Sequence, residues 1–210
     1  MKTVILGTAH RLREPGKQSP DGKFKECIYT REIVSEIEAK LAAYGIPTYV
    51  DMTDIDLPET LWSSSYTTER NRELTRRVDA VNAICDSVGK NNCIYISIHV
   101  DAAGSDGNWH NARGWSARVS PYASANSKLL AGYLFDAAKA NGITTRQPLP
   151  NQKYWEQDLY VLNKTKCPAV LTENLFQDNI ADVDFLLSDE GRHAIERLHI
   201  EGILKYIKSR

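Results

Sequence analysis

Short apolar runs and longer stretches with helical spacing take turns along this chain. Residues 4–7 are a brief apolar run that predicts a buried strand, and 11–25, charged and broken by Pro15, Gly16, Pro20 and Gly22, predict a loop. From 26 to 44 the spacing changes. Ile33, Val34, Ile37, Leu41 and Tyr44 fall on one face of a helix, and Gly45 follows as its C-terminal stop. Residues 47–50 read as a short strand, 51–70 as a long polar loop, and 71–88 as a second helix with Leu74, Val78, Val81, Ile84 and Cys85 inward. The clearest strand signal is 93–99, where Ile94, Ile96 and Ile98 alternate with Tyr95, Ser97 and His99. Beyond it the pattern predicts a loop over 101–112, a strand over 114–120, and a helix over 127–140 with Pro121 placed to open it. A loop over 143–157, short strands over 159–162 and 168–173, and helices over 181–187 and 189–208 complete the chain.

Strands that alternate with helices predict an α/β fold. The expectation is a single domain over 1–210, with a mostly parallel twisted sheet of about six strands flanked by helices on both faces. Composition changes this picture little. With 210 residues, 42% of them hydrophobic, the chain can build a core, which excludes a disordered protein. Its 26 basic and 27 acidic residues leave a net charge of -1 and no electrostatic footprint for nucleic acid. No apolar run approaches the roughly 18 residues of a membrane span. The run after Lys2 is shorter than the roughly 7–15 apolar residues of a secretory signal, so no export signal is expected in this chain. Cys27, Cys85, Cys93 and Cys167 form no C-x-x-C pair and read as buried small hydrophobes, with a Cys85–Cys93 bridge as the main alternative.

Open α/β sheets bind ligands beyond the carboxyl ends of their strands. His10 follows the first strand, His99 ends the alternating one and Glu173 ends the run over 168–173. Glu26 opens the first helix, where a carboxylate also suits the helix dipole. Two histidines and a carboxylate form a ligand set for catalytic zinc, which makes water acidic near pH 7. A second carboxylate is then left to carry a proton. Taken singly, each residue has an ordinary alternative: a solvent-facing His10, a Glu26 that only pairs with the dipole, a buried His99, an exposed Glu173. Only the shared rim unites them. Asp101 reads as a turn residue, Arg77 as the partner of a helix-surface carboxylate, and His110, His193 and His199 as surface residues. Trp109, Trp115, Tyr154 and Trp155 read as loop-associated, partly buried rings that could also stack on sugars. No phosphate-binding glycine loop and no G-x-S-x-G is present. Cys27 points about 100° from Glu26 on its helix and is a poor nucleophile.

Five stretches carry a resemblance. They are Gly7-Thr8-Ala9-His10-Arg11, Lys25-Glu26-Cys27, Leu74-Thr75-Arg76-Arg77-Val78 continuing to Asn82, Ser97-Ile98-His99-Val100-Asp101-Ala102, and Leu171-Thr172-Glu173-Asn174-Leu175-Phe176-Gln177-Asp178-Asn179. Over 4–207 the chain resembles the zinc-dependent N-acetylmuramoyl-L-alanine amidases of the type-3 family, which cut the amide between the muramic acid lactyl group and L-alanine in peptidoglycan. Of that family's D-P-G-H-G motif only the His is kept. Its S-I-H-x-[ND]-A motif is matched closely, and its L-[VT]-E-x-G-F-x-x-N motif is matched with Leu175 in place of Gly. The resemblance implies an active enzyme that binds one Zn2+ through His10, Glu26 and His99 and uses Glu173 as catalytic acid and base. It implies a monomer acting on peptidoglycan or muropeptides at the cell wall or in the periplasm. The alternatives are a zinc peptidase of the same architecture that cuts a stem-peptide bond, and a non-catalytic wall-binding module. The catalytic unit is expected to use the whole chain, without an accessory wall-binding domain. Residues 101–157 offer no extra helix to plug the site, so an open site is expected.

Overall fold

Six strands form where apolar residues alternate or run together: β1 (Thr3–Gly7), β2 (Thr48–Val50), β3 (Cys93–Asp101), β4 (Ser116–Val119), β5 (Trp155–Glu156) and β6 (Ala169–Phe176). The helices are α1 (Glu26–Ala43), α2 (Tyr66–Val88), α3 (Ala125–Ala140), α4 (Tyr160–Lys164), α5 (Ile180–Leu187) and α6 (Asp189–Lys208). The computed structural model describes residues 2–210. One sheet holds all six strands in the order β2-β1-β3-β6-β4-β5. β2, β1, β3 and β6 are parallel neighbours, β4 runs antiparallel to β6, and β5 pairs parallel to β4. The expected α/β class and its largely parallel sheet are therefore present.

Both faces of the sheet are covered, which is why its central strands read as nearly continuous apolar runs. Val4, Leu6, Ile94, Ile96, Ile98 and Val170 join the larger core beneath α1, α3, α5 and α6. Ile5, Cys93, Tyr95, Ala169 and Leu171 join a smaller one beneath α2 and α4. On the larger side α3 and α6 pack closely at Gly202, where an added Cβ would lie 3.0 Å from the Leu134 Cα.

Several local expectations are corrected. α2 starts at Tyr66, five residues before the predicted 71, capped by Ser65, whose side chain accepts the Thr68 N–H. Its inner face there carries Glu69 and Glu73, both buried, so hydrophobic spacing could not reveal it. Residues 159–162 are not a strand. They enter the short helix α4, and a four-residue apolar run does not distinguish the two. The outer strand is β5, two residues long, inside the predicted loop over 143–157. α3 opens at Ala125 under a Ser124 cap rather than at Pro121. β6 runs past Glu173 to Phe176 through a bulge: His99 pairs with Glu173, but Asp101 pairs with Phe176. The bulge holds Leu175 at φ 68°, a left-handed conformation that suits glycine. All four cysteines are buried and free, so the Cys85–Cys93 bridge is not formed. His199 is not a surface residue. It is fully buried, its ring held between the Ile195 carbonyl (2.8 Å) and Thr172 Oγ1 (3.0 Å), and burial lowers its pKa to about 4. Trp115 is also fully buried and donates its indole N–H to Asn174 Oδ1 at 2.8 Å.

Candidate metal centre

Parallel pairing of β1, β3 and β6 brings His10, His99 and Glu173 to one rim of the sheet, as the strand-end reading expected. The period of two then chooses their face. Cys93 and Tyr95 point beneath α2, so Ser97 and His99 follow on the same side, and Glu173 follows Ala169 and Leu171. Along this face the strands pass from apolar to polar, and the helices above leave an open groove of about 720 Å3. His10, His99 and Glu173 line it, with Leu74 of α2 on one wall and Tyr160 of α4 on the other.

Glu26, the first residue of α1, lies fully buried between the two imidazoles. Its Oε1 accepts the Val100 N–H at 2.9 Å and lies 3.2 Å from His99 Nδ1. Its Oε2 lies 3.4 Å from His10 Nε2 and has no hydrogen-bond partner. The imidazoles meet edge to face with centroids 5.0 Å apart, and one donor atom from each of His10, Glu26 and His99 lies within 4.8 Å of the others. Donors at about 2.0–2.1 Å from a tetrahedral ion sit about 3.3 Å apart, and each imidazole lies near that distance from one of the two Glu26 oxygens. The protonation states fit as well. Burial holds the His10 pKa well below the usual imidazole value against the opposing pull of Glu26. Burial alone would raise Glu26, but His10 and His99 together outweigh it and hold the carboxyl at about 2. Neutral imidazole and ionised carboxylate are the forms a cation requires. A bound cation would also satisfy the stranded Oε2, whose burial without a partner is otherwise costly.

The loop that carries His10 is pinned by arginines. His10 sits at φ 46°, and its carbonyl accepts from Arg31 Nη2 and Arg77 Nη2, each at 3.1 Å. Arg31 Nη1 also donates to the Ala9 carbonyl, and Thr30 Oγ1 accepts the Ala9 N–H. Arg77 is buried and bonded to Asp51 (3.0 and 3.1 Å) and Glu73 (3.0 Å), which corrects its reading as the partner of a surface carboxylate. Arg11, fully buried where the family motif has glycine, is held by Glu14, Glu69 and Glu73. The inward Glu73–Arg77 pair, four residues apart beside the apolar stripe of α2, was the available signal for this network.

Glu173 completes the site. Burial and the nearby Asp101 charge raise its pKa to about 7. Its Oε1 lies 3.3 Å from Arg118 Nε, while Oε2 is buried without a partner. Asp101 is more than a turn residue, since Arg118 Nη2 reaches it at 2.8 Å and Arg146 Nη1 at 3.5 Å. Sequence reasoning missed Arg31 and Arg118. An arginine on a four-residue strand carries no mark of facing a site.

Fold and site together define an α/β protein with a candidate metal centre at its strand ends and an adjoining carboxyl whose pKa is raised to about 7. A model of the type-3 N-acetylmuramoyl-L-alanine amidase family matches residues 4–205, and the chain belongs to this family. Among solved structures, the fold is similar to that of the CwlD amidase of Clostridioides difficile, solved in complex with the GerS lipoprotein. The TM-score is 0.78 at 20% identity, covering 100% of each chain. It is also similar to the catalytic domain of the amidase CwlV from Bacillus (Paenibacillus) polymyxa, with a TM-score of 0.75 at 19% identity and 100% coverage of both. In sequence it is 30% identical over 139 residues to the endolysin of Bacillus phage SPP1, covering 64% of this chain and 49% of the relative. It is 28% identical over 206 residues to the probable cell wall amidase LytH of Staphylococcus saprophyticus, covering 98% of this chain and 58% of the relative. The matches thus span about half to three-fifths of the length of these two relatives.

Proposed function

We propose that the chain is a zinc-dependent N-acetylmuramoyl-L-alanine amidase that hydrolyses the amide joining the lactyl group of N-acetylmuramic acid to L-alanine. Residues 1–210 act as one catalytic domain, in a monomer, on peptidoglycan or muropeptides at the cell wall. No helix among the described residues is long and apolar enough to cross a membrane. The observation that carries the reading is the His10–Glu26–His99 cluster beside Glu173, with an unpartnered carboxylate oxygen on each glutamate. Family membership and the printed descriptions of the relatives support the bond assigned.

His10, Glu26 and His99 would hold the zinc. When bound, the ion supplies Lewis acidity toward the scissile carbonyl and the attacking water. Glu173 takes a proton from that water and returns it to the departing L-alanine nitrogen. A value near 7 suits both halves of this exchange, because the group must gain and lose a proton in each turnover. The groove leaves His10, His99 and Glu173 accessible, so the full chain acts without removal of a segment.

The test uses muropeptides and metal analysis together. Glu173→Gln should keep about one zinc per chain yet lose roughly 10²–10⁴-fold in turnover. Turnover like that of the unaltered protein would overturn the role of Glu173. The unaltered protein should release peptides that begin with L-alanine. New termini inside the stem would favour the peptidase reading instead, and a protein that holds no metal would favour the wall-binding module.

A further inference from the structure

Arg118 stands opposite Leu171 across the antiparallel β4–β6 pair, and Ser116 stands opposite Glu173. Residues two apart share a face, so Arg118 emerges on the same side of the sheet as Glu173. Its guanidinium divides between two carboxylates. Nε lies 3.3 Å from Glu173 Oε1, and Nη2 lies 2.8 Å from Asp101 Oδ2. Asp101 is tied in turn: its Oδ1 accepts the Ala102 N–H at 2.9 Å, and Arg146 Nη1 lies 3.5 Å from Oδ2. Both guanidinium groups sit 5.8 Å from the centre of the Trp155 ring.

A guanidinium that serves only to neutralise a carboxylate tends to engage both of its oxygens. Here the fork takes one oxygen of Glu173 and leaves the other without a hydrogen-bond partner. Glu173 lines the groove, whereas Arg118 does not. Arg118 therefore meets the reacting groups only through Glu173.

We propose that Arg118 is a positioning residue for amide cleavage: by gripping Glu173 Oε1 while anchored on Asp101, it fixes the rotamer of the Glu173 carboxylate at the groove. This rests on the function proposed above. Without the grip, Glu173 is free to rotate about its side-chain bonds, and only Arg146, 3.5 Å from Asp101 Oδ2, remains to offset the repulsion between the two carboxylates.

Arg118→Met and Arg118→Lys, each made alone and in the Glu173→Gln background, test this in the zinc-loaded full chain. Arg118→Met should lower kcat about 10–100-fold, leave KM within about twofold and leave zinc content unchanged. Arg118→Lys, which keeps the charge without the fork, should recover part of that loss. In the Glu173→Gln background Arg118→Met should cost nothing further, because the group it positions is already disabled. An equal loss in both backgrounds, a loss confined to KM, or a loss that tracks melting temperature would overturn the proposal. Activity is scored as total new amino termini, which are then identified. Termini within the stem peptide would refute the bond assigned without touching Arg118. A crystal structure of the Arg118→Met protein gives a readout independent of turnover. Glu173 should leave its present rotamer, and an unmoved carboxylate would overturn the proposal even if the function assigned were wrong.

Discussion

His10 and His99 bring their rings to the same point by unlike means. His99 is set by the backbone ladder, since β3 is hydrogen-bonded between β1 and β6 and Asn174 of the neighbouring strand holds the His99 carbonyl at 2.9 Å. His10 lies beyond the end of β1 in a left-handed conformation, and two arginines from α1 and α2 grip its carbonyl. The sheet places one proposed ligand directly. Side chains borrowed from two helices place the other. Loss of the clamps should therefore loosen the proposed metal site in ways that the sheet cannot repair.

The largest effect should come from Arg77→Met, which leaves Asp51 in the interior without its arginine, removes one of the two arginines on Glu73 and leaves Arg31 alone on the His10 carbonyl. We expect about 3–5 kcal/mol of destabilisation in urea unfolding, because a buried charge that loses its partner is heavily penalised. A loss under about 1 kcal/mol would show that the loop is held by other means.

On the strand side, the metal-free protein should show a pH signature from Glu173. Its folded value is raised from the ordinary 4.5 to about 7, so the folded state binds this proton more tightly than the unfolded chain. The resulting stability is fully present below pH 4.5 and fades as pH rises through 7, by at most about 3 kcal/mol. Glu173→Gln should flatten that part of the stability curve measured with chelator present. An unchanged curve would mean that the carboxyl is not so perturbed.

A smaller effect is expected from Arg31→Ala. Zinc affinity should fall about 10–100-fold through the slackened His10 loop, as read by competition with a chromophoric chelator. Affinity equal to that of the unaltered protein would leave Arg77 as the sole clamp.

The smallest contrast concerns the bulge beside the His99–Glu173 pair. Leu175 is buried yet held at φ 68°, which costs a non-glycine residue about 1–2 kcal/mol. Removing the side chain should destabilise the fold in either replacement. Leu175→Gly should be the milder of the two by about 1 kcal/mol, since glycine also relieves the backbone while alanine does not. The reverse order would show that the bulge carries no strain.

Much of the fold was legible because its central strands obey simple periodicities. The alternation over 93–99 identifies β3 and places Ser97 and His99 on one face before any coordinates are seen. The four proposed site residues were legible for a related reason, since three of them follow apolar runs that become parallel neighbours. What failed was wherever the interior is charged. The start of α2 escaped because its buried positions are Glu69 and Glu73, and Arg77 was paired with a helix-surface carboxylate because nothing local announces Asp51 as its partner. His199 was misplaced for a related reason, because its neutral polar ring is buried. Its hydrogen bonds to Ile195 and Thr172 make a polar ring tolerable in the core, and one of those partners comes from a different element. The short apolar run at the start of α4 was ambiguous, and only its packing beneath the smaller core decides it.

The α2-facing side of β3 offers few positions: Cys93 and Tyr95 pack, while Ser97 and His99 face the groove. Adhesion and reactivity thus share one short row of side chains, with a single residue step between the two tasks. Mutational drift that extended the oily portion by one position would replace Ser97, whose hydroxyl lies 3.1 Å from His99 Nε2, and by two would consume the proposed ligand His99. For that reason this edge of the molecule should tolerate change in its bordering loops far more readily than any lengthening of its dry floor.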